Sequence, residues 1–394
     1  MTNLRILHVL ATVDPKSGGP VEAVLQFAAS VARFDDACIN EVVCLDREDA
    51  PFLSTFPLTV HAKGEAPSIV PVVGRFARHY KFSSELIPWL KRHAGTYDCV
   101  IVHGLWNFST YAASRVLRSL TTPYFVFSHG MLDPWFRQAY PFKHLAKQAF
   151  WMFSEGVLLR DARAVLFTCK EERQQAVGAF FGFRYRAEVV PFGTSRPPAA
   201  ETQDEDVSES AGRGYIVFLG RLHEKKGLTN LISAARRVAD SGASFRFIFV
   251  GPSDSKYLAF LQAETMRLGL QDKIQFLGPL FGASKWAILR NADAFILPSH
   301  QENFGIAVAE SLACGVPVLI SDKVNIWREI KEAGAGLVEA DTVDGTKRLI
   351  ERWLALTLTD RQRMSTAAST LFSDQFDIDV TAPLLLEKLR LWCG

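Results

Sequence analysis

The 394 residues include 44 lysines and arginines against 42 aspartates and glutamates, which leaves a formal net charge of +2, and 48% of the residues are apolar. A chain of this length exceeds what one hydrophobic core usually serves, so we expect two domains. The near balance of charges argues against a nucleic-acid-binding protein, in which basic residues dominate.

The termini and cysteines indicate the compartment. The N-terminus enters a strand-like run without the apolar core and cleavage site of a signal peptide. No apolar run reaches the ~20 residues that a membrane span needs. The six cysteines lack paired zinc or redox spacing and are expected to be reduced and buried. We therefore expect a cytoplasmic protein, with any membrane contact peripheral at the inner face of the cell membrane.

Short runs rich in valine, isoleucine and phenylalanine alternate with helical patterns along the whole chain. Such runs are typical of parallel strands buried on both faces, and their alternation with helices predicts an α/β fold with two doubly wound domains. The predicted strands cover residues 6–10, 42–45, 100–103, 124–128, 164–168, 215–219, 245–250, 274–277, 294–297 and 316–320.

A segment rich in proline and acidic residues separates the two sets of strands, and its composition is typical of a solvated linker. The last residues have an amphipathic helical pattern, for which packing back on the N-terminal domain is one option. The predicted organisation is an N-terminal Rossmann-like domain over 1–195, a linker over 196–214, a second such domain over 215–375 and a C-terminal helix over 376–394.

The first candidate motif is Gly18-Gly19, which follows a predicted strand and opens a helix. Glycines let backbone amides approach an anion, and a helix N-terminus favours negative charge. A plain tight turn is the alternative. The loop has neither dinucleotide-binding nor P-loop spacing, so it indicates neither of those sites.

The second motif, over residues 220–227, follows the first strand of the second domain and leads into a helix. Arg221 and Lys226 are candidates for binding a diphosphate, the guanidinium bidentately and the ammonium as a point charge. A solvated basic turn is the alternative, and it suits Lys225 better than Lys226.

The third motif follows the strand 294–297. Residues 305–314 are predicted to be helical, with Glu302 in the loop ahead of the helix and Glu310 on it. A carboxylate that accepts hydrogen bonds from two neighbouring hydroxyls suits a sugar or a ribose, and the first amides of the helix suit an adjoining charged group.

The order and context of these motifs resemble glycosyltransferase family 4, of the bacterial cell-surface polysaccharide type. The resemblance implies retaining enzymes with the GT-B fold, in which two doubly wound Rossmann-like domains face each other across a cleft. It spans nearly the whole chain and rests on Gly18-Gly19, Gly220-Arg221, Lys226-Gly227, Glu302, Phe304-Gly305, Glu310, Gly315 and Pro317.

The resemblance implies that the domain over 1–195 binds the acceptor and the domain over 215–375 the nucleotide-sugar donor. It also implies a role for each motif. Glu310 would hold the ribose hydroxyls, Glu302 the sugar hydroxyls, and Arg221 with Lys226 the diphosphate. His129 would stand beside the transferring sugar and is favoured over His103, which also ends a predicted strand. The implied donor-binding set is Gly18, Gly19, Arg221, Lys226, Glu302, Asn303, Phe304, Gly305, Ile306 and Glu310, and the implied catalytic set is His129, Glu302, Arg221 and Lys226.

The implied activity is transfer of a hexose from a UDP-hexose or GDP-mannose to a glycan or lipid-linked saccharide, in exopolysaccharide, O-antigen or capsule biosynthesis. No cofactor is expected, and no metal, because no Asp-x-Asp motif follows a strand. A nucleotide-sugar epimerase and a non-catalytic sugar-nucleotide-binding protein remain alternatives. Two basic aromatic stretches, 75–82 and 141–153, predict either contact with an anionic membrane or ordinary core helices.

Overall fold

A computed structural model of the chain shows two structural units. It describes residues 4–65, 80–134, 137, 141–198 and 214–393. Unit 1 comprises Met1–Phe192 together with Thr381–Gly394, and unit 2 comprises Gly193–Val380. Most of the predicted linker, residues 199–213, lies outside the described residues, as do residues 75–79 of the first basic aromatic stretch.

Unit 1 is built on a seven-stranded sheet in the order β3-β2-β1-β4-β5-β6-β7. All neighbouring strands in it are parallel. The strands are β1 (Leu4–Val9), β2 (Cys38–Cys44), β3 (Thr59–Ala62), β4 (Cys99–His103), β5 (Tyr124–Phe127), β6 (Ala164–Phe167) and β7 (Ala187–Val189). The helices between them are α1 (Gly19–Phe34), α2 (Leu86–His93), α3 (Phe108–Val116), α4 (Pro141–Phe153), α5 (Glu155–Asp161) and α6 (Lys170–Ala176).

Unit 2 repeats this architecture with a six-stranded parallel sheet in the order β10-β9-β8-β11-β12-β13. Its strands are β8 (Ile216–Leu219), β9 (Phe247–Val250), β10 (Ile274–Gly278), β11 (Ala294–Leu297), β12 (Val318–Ser321) and β13 (Gly336–Glu339). Its helices are α7 (Leu228–Ala239), α8 (Ser255–Arg267), α9 (Gly282–Arg290), α10 (Ile306–Ala313), α11 (Trp327–Ala333), α12 (Val343–Ala355) and α13 (Leu358–Leu371).

The last helix, α14 (Ile378–Cys393), lies within the predicted range 376–394 and contains Pro383. From Thr381 onward it belongs to unit 1. Its buried leucines include Leu386 and Leu389, and Lys388 donates a hydrogen bond of 3.3 Å to the carbonyl of Val189 at the end of β7.

The central strands are apolar throughout because helices cover both faces of a parallel sheet; Val217 and Phe295, for example, are fully buried. The predicted doubly wound α/β fold is confirmed, and every predicted strand is present. Strands β3, β7 and β13 were not predicted. The strand order reverses between β1 and β4 and between β8 and β11, and ligands of such sheets bind beyond the carboxyl ends of the strands at this reversal.

No helix within the described residues is long and apolar enough to cross a membrane.

Candidate functional site

In unit 2, the loops that follow β8 and β11 are joined by hydrogen bonds at the point where the strand order reverses. The carbonyl of Lys225 accepts hydrogen bonds from the His300 amide at 2.8 Å and from the Ser299 hydroxyl at 3.0 Å. Gly227, the N-cap residue of α7, has a φ of 67°, and a Cβ there would lie 1.9 Å from the carbonyl oxygen of Pro298. Only glycine allows the two loops to approach this closely.

This approach brings Lys226 and Glu302 together as a partly buried ion pair between Nζ and Oε2. The two residues are 76 positions apart in the sequence. Lys225 contributes its backbone to the junction, whereas Lys226 contributes its charge. The structure therefore brings together a predicted phosphate ligand and a predicted sugar ligand.

The backbone of Glu302 is held in a short parallel bridge with Val324. The Glu302 amide donates to the carbonyl of Lys323 at 2.9 Å, and the Asn325 amide donates to the carbonyl of Glu302 at 3.1 Å. Helix α10 then begins after Gly305, whose φ is 74°. Glu302 thus lies in the loop and Glu310 on the helix, as the sequence predicts.

Glu310 is 7% exposed and has a cationic partner that the sequence does not indicate. Nζ of Lys285, on α9, donates to Oε1 of Glu310 at 2.7 Å. The Lys285 ammonium also lies 4.2 Å from the centre of the Trp286 ring. One oxygen of Glu310 is therefore fixed by a charge-assisted hydrogen bond.

A hydrogen bond between His300 and Asp341 lies beside these loops. Nδ1 of His300 is 2.8 Å from Oδ1 of Asp341, and this hydrogen bond raises the pKa of His300. Arg221 is exposed directly after β8. In ligand-binding terms, unit 2 presents an exposed guanidinium, an ammonium and two carboxylates at one end of its sheet.

Three further residues predicted to bind the nucleotide-sugar donor, Asn303, Phe304 and Ile306, lie between Glu302 and Glu310. Phe304 is buried and packs edge-on against Phe376, with ring centres 5.4 Å apart, so its side chain belongs to the core. Asn303 accepts a 3.4 Å hydrogen bond from Asn325. Ile306 is the first residue of α10, where helix amides lack intrahelical acceptors.

In unit 1, Gly18 and Gly19 lie at the start of α1. Gly18 is the N-cap residue with a φ of 74°, and the amides of Val21 and Glu22 donate to its carbonyl. A Cβ on either glycine would meet nothing within 4 Å. The space beside the two residues is therefore open, and the left-handed backbone explains the glycine at position 18.

His129 follows β5 and is hydrogen-bonded to its predicted competitor. Its Nε2 lies 3.0 Å from Nδ1 of His103, the last residue of β4. Burial lowers the pKa of His129 to about 4, and burial with the neighbouring histidines lowers that of His103 well below its usual value. Both imidazoles are neutral near pH 7.

The loop of His129 is shaped by Glu172 on α6. One carboxylate oxygen of Glu172 accepts from the Ser128 hydroxyl and the Gly130 amide, both at 2.8 Å. The other oxygen accepts from the amide and hydroxyl of Thr168. These bonds hold His129 in a left-handed conformation with a φ of 47°, which is uncommon for a residue other than glycine.

No group of three or more histidine, cysteine or carboxylate side chains within the described ranges is arranged to hold a metal ion. Sequence reasoning missed Lys285, Asp341, Glu172 and His8, all of which lie far along the chain from the motifs they support. Of these four residues, only His8 has a local signal in the sequence, because a histidine inside an apolar strand such as β1 indicates a buried polar contact.

Two family models cover most of the chain. The model "Glycosyl transferase 4-like domain" matches residues 18–193, and "Glycosyl transferases group 1" matches residues 200–370. The first match begins at Gly18 in unit 1, and the second includes Arg221, Lys226, Glu302 and Glu310.

Curated relatives carry transferase names. The chain is 25% identical over 345 residues to the GDP-mannose:cellobiosyl-diphosphopolyprenol alpha-mannosyltransferase of Xanthomonas campestris, covering 85% of this chain and 83% of the relative. It is 29% identical over 196 residues to a D-inositol 3-phosphate glycosyltransferase of Nocardia farcinica, covering 47% of this chain and 43% of the relative. The chain thus spans about half the length of the inositol phosphate glycosyltransferases it matches.

The fold is also that of solved structures. HepE of Anabaena, in complex with UDP and glucose, aligns with a TM-score of 0.75 at 17% identity, covering 98% of this chain and 99% of HepE. With the two domain matches and two doubly wound units, the chain belongs to the family 4 type of glycosyltransferases with the GT-B fold.

Proposed function

We propose that this chain transfers a hexose from a nucleotide diphosphate sugar, a UDP-hexose or GDP-mannose, to a hydroxyl of a glycan or lipid-linked saccharide, with retention of the anomeric configuration. The observation that carries the proposal is the ion pair of Lys226 and Glu302, which lies where the strand order in the sheet of unit 2 reverses. A cation for phosphate and a carboxylate for hydroxyls meet there at the position where such sheets bind ligands.

Each charged group of unit 2 has a proposed ligand. Arg221 and Lys226 bind the diphosphate, with backbone amides at the start of α10. Glu302 accepts hydrogen bonds from the hydroxyls of the transferred sugar. Glu310 accepts from the ribose, and the hydrogen bond that it receives from Lys285 at 2.7 Å orients its carboxylate.

The proposed chemistry needs stabilisation of the departing charge more than a nucleophile. The bond between the anomeric carbon and the β-phosphate oxygen breaks as the acceptor oxygen bonds to that carbon from the same face. The acceptor proton passes to the leaving phosphate. Arg221 and Lys226 stabilise the diphosphate as charge develops on it. No step requires a metal ion or another cofactor.

In unit 1, Gly18 and Gly19 are proposed to give backbone amides to the donor, and His129 to contact the sugar. Neutral His129 suits a hydrogen bond to a hydroxyl, because it adds no charge near the developing cation. The acceptor is proposed to bind to unit 1 as well.

The named relatives support the choice of substrates. One carries GDP-mannose and a diphosphopolyprenol-linked acceptor in its name, and the Anabaena structure holds UDP and glucose. Transfer to a lipid-linked saccharide during exopolysaccharide, O-antigen or capsule synthesis is therefore our proposal for the pathway class.

A lipid-linked acceptor calls for contact with a membrane surface, and α4 offers one. Phe142, Leu145 and Phe153 on this helix are 89%, 72% and 79% exposed. Trp151 of the same helix is buried, and Lys147 lies 4.7 Å from the centre of the Trp106 ring. Thus one side of α4 belongs to the core, as expected of an ordinary helix, while the other exposes apolar side chains of the kind that enter a lipid interface. We propose peripheral binding of α4 to anionic membrane at the cytoplasmic face.

Radiolabelled UDP-glucose, UDP-galactose and GDP-mannose, each with polyprenyl-diphosphate-linked saccharide acceptors, test the proposal. Labelled product bound to the acceptor, formed in EDTA, is the expected result. Conversion of the donor to an epimer without transfer would identify an epimerase. Donor binding without any turnover across acceptors would identify a binding protein, and both outcomes contradict the proposal.

A further inference from the structure

A row of three buried polar side chains, Asn40, His8 and His103, crosses the sheet of unit 1 and ends at the partly buried His129. Asn40 lies on β2, His8 on β1 and His103 on β4, and these strands are neighbours in the sheet. His8 is 1% exposed, His103 6% and Asn40 9%. Inside an apolar sheet, such groups are retained only with satisfied hydrogen bonds.

The contacts in this row are consecutive and of equal length. Oδ1 of Asn40 lies 3.0 Å from Nε2 of His8, and Nδ1 of His8 lies 3.0 Å from Nε2 of His103. Nδ1 of His103 lies 3.0 Å from Nε2 of His129. Each of the two inner histidines therefore uses both ring nitrogens within the row.

A neutral imidazole has one donor and one acceptor nitrogen. Because each contact needs one donor and one acceptor, the tautomers of the three histidines are coupled. Either all three carry the proton on Nε2, or all three carry it on Nδ1. Burial favours the neutral forms, lowering the pKa of His8 to about 4 and that of His129 likewise.

The amide of Asn40 decides between the two directions. Its Nδ2 donates to Sγ of Cys38 at 3.8 Å, which leaves the oxygen facing His8. That oxygen accepts from Nε2–H of His8. Nδ1 of His8 then accepts from Nε2–H of His103, and Nδ1 of His103 accepts from Nε2–H of His129.

We propose that Asn40, His8 and His103 are positioning residues that hold His129 as a single tautomer, with its proton on Nε2 and its lone pair on Nδ1. His129 then offers its substrate a hydrogen-bond acceptor and no donor. The tautomer itself is independent of the proposed function, whereas its effect on transfer rests on that function, through the contact of His129 with a sugar hydroxyl.

Two-bond ¹H–¹⁵N spectra of the full chain, labelled with ¹⁵N in histidine, measure the tautomers directly. The chain has nine histidines, and single His→Gln variants at positions 8, 103 and 129 assign the three signals. At about pH 7.5, well above the usual histidine pKa, we expect all three as neutral Nε2–H forms. Nδ1–H forms, charged forms or mixtures at these positions would overturn the proposal.

The variant Asn40→Asp tests the coupling along the row. If the new carboxylate makes His8 an imidazolium, Nδ1 of His8 becomes a donor, and His103 and His129 must both switch to Nδ1–H. If His8 stays neutral, both must keep Nε2–H. A His129 tautomer that does not follow the charge of His8 would overturn the proposal.

Activity separates this inference from the proposed function. If the wild-type chain transfers no sugar but shows the three coupled Nε2–H tautomers, the proposed function fails and the row of tautomers stands. If it transfers sugar, a switch to Nδ1–H at His129 is expected to lower kcat about tenfold, since Nδ1 then no longer accepts the hydrogen bond donated by the sugar hydroxyl. A kcat unchanged by that switch would overturn the positioning role.

Discussion

Lys285 and Glu310 join two helices of unit 2 through a hydrogen bond of 2.7 Å between Nζ and Oε1. The carboxylate is buried, and the lysine is partly exposed. Without the lysine ammonium, the Glu310 carboxylate, which we assign to the ribose, loses the hydrogen bond that orients it. A nearly buried carboxylate without its cation is also less stable.

We therefore expect Lys285→Met to raise the donor KM about tenfold, the effect of losing about 1.4 kcal/mol, with little change in kcat. Steady-state kinetics checks this, with exposed Lys331→Met as the control that should match the wild type. A double variant with Glu310→Gln should be no worse than Glu310→Gln alone. Additive losses would contradict the coupling of the two residues.

We expect transfer to need the lysine at position 226 and the glutamate at position 302, and not merely an ion pair between these two positions. Lys226→Met and Glu302→Gln should each lower kcat/KM at least about 100-fold, because each removes a group that we assign to the reacting diphosphate sugar. The exchanged pair, Lys226→Glu with Glu302→Lys, keeps an ion pair but places each charge on the wrong ligand. Transfer by the exchanged pair at near wild-type rate would mean that the contact is only structural.

Gly227 lies where the loops after β8 and β11 approach each other most closely. A Cβ there would lie 1.9 Å from the carbonyl oxygen of Pro298, on a backbone with a φ of 67°. Gly227→Ala should therefore lower the free energy of unfolding by about 2 kcal/mol or more. Urea denaturation checks this value. Gly95→Ala is the matched control, since a Cβ at Gly95 meets nothing within 4 Å, and equal stabilities of the two variants would contradict the account.

The buried histidines of unit 1 predict a loss of stability in acid. The folded pKa values of His8 and His129 are about 4, below the ordinary value of 6.5. As pH falls below 6.5, the unfolded chain therefore binds protons that the folded chain does not. Each such histidine lowers the free energy of unfolding by about 1.4 kcal/mol per pH unit until the folded pKa is reached.

Urea unfolding at about pH 7.5 and about pH 5.5 measures this slope across the unfolded pKa. His129→Gln should show a shallower dependence than the wild type. Equal pH dependence in the wild type and His129→Gln would contradict the burial of a neutral imidazole at this position.

The exposed apolar residues of α4 predict binding to lipid. Phe142→Ser with Phe153→Ser should weaken sedimentation with phosphatidylglycerol vesicles about tenfold or more, since burying one aromatic side chain stabilises by about 1.5–3 kcal/mol. Phe281→Ser in unit 2 removes a phenylalanine of similar exposure, 76%, and should have no effect. Equal losses in both variants would contradict a specific role of α4.

The strands of this fold were predictable to the extent that they are buried on both faces. Central parallel strands such as β4 and β11 are continuous apolar runs that stand out in the sequence. The missed strands β3, β7 and β13 all lie at sheet edges. Their sequences, for example Ala187–Val189, are short and mixed in polarity, so no local pattern marks them.

The residues of the candidate site also differ in how far the sequence predicts them. Gly227, Glu302 and Glu310 are recognisable because each belongs to a motif that is contiguous in sequence. Lys285, Asp341, Asn40 and His8 come from separate segments and reach their partners only through the packing of different strands and helices. From the sequence, His103 and His129 are alternative candidates for the histidine beside the transferring sugar. In the structure they are joined by a hydrogen bond of 3.0 Å.

Calorimetric titration of the full chain with UDP-glucose, UDP-galactose, GDP-mannose and ADP-glucose measures whether unit 2 binds a nucleotide sugar. We expect at least one of these donors to bind, and we expect Lys226→Met and Glu310→Gln each to weaken that binding about tenfold or more, while Lys331→Met binds like the wild type. Absence of binding by every donor, or binding undiminished in both site variants, would contradict a nucleotide-sugar site in unit 2.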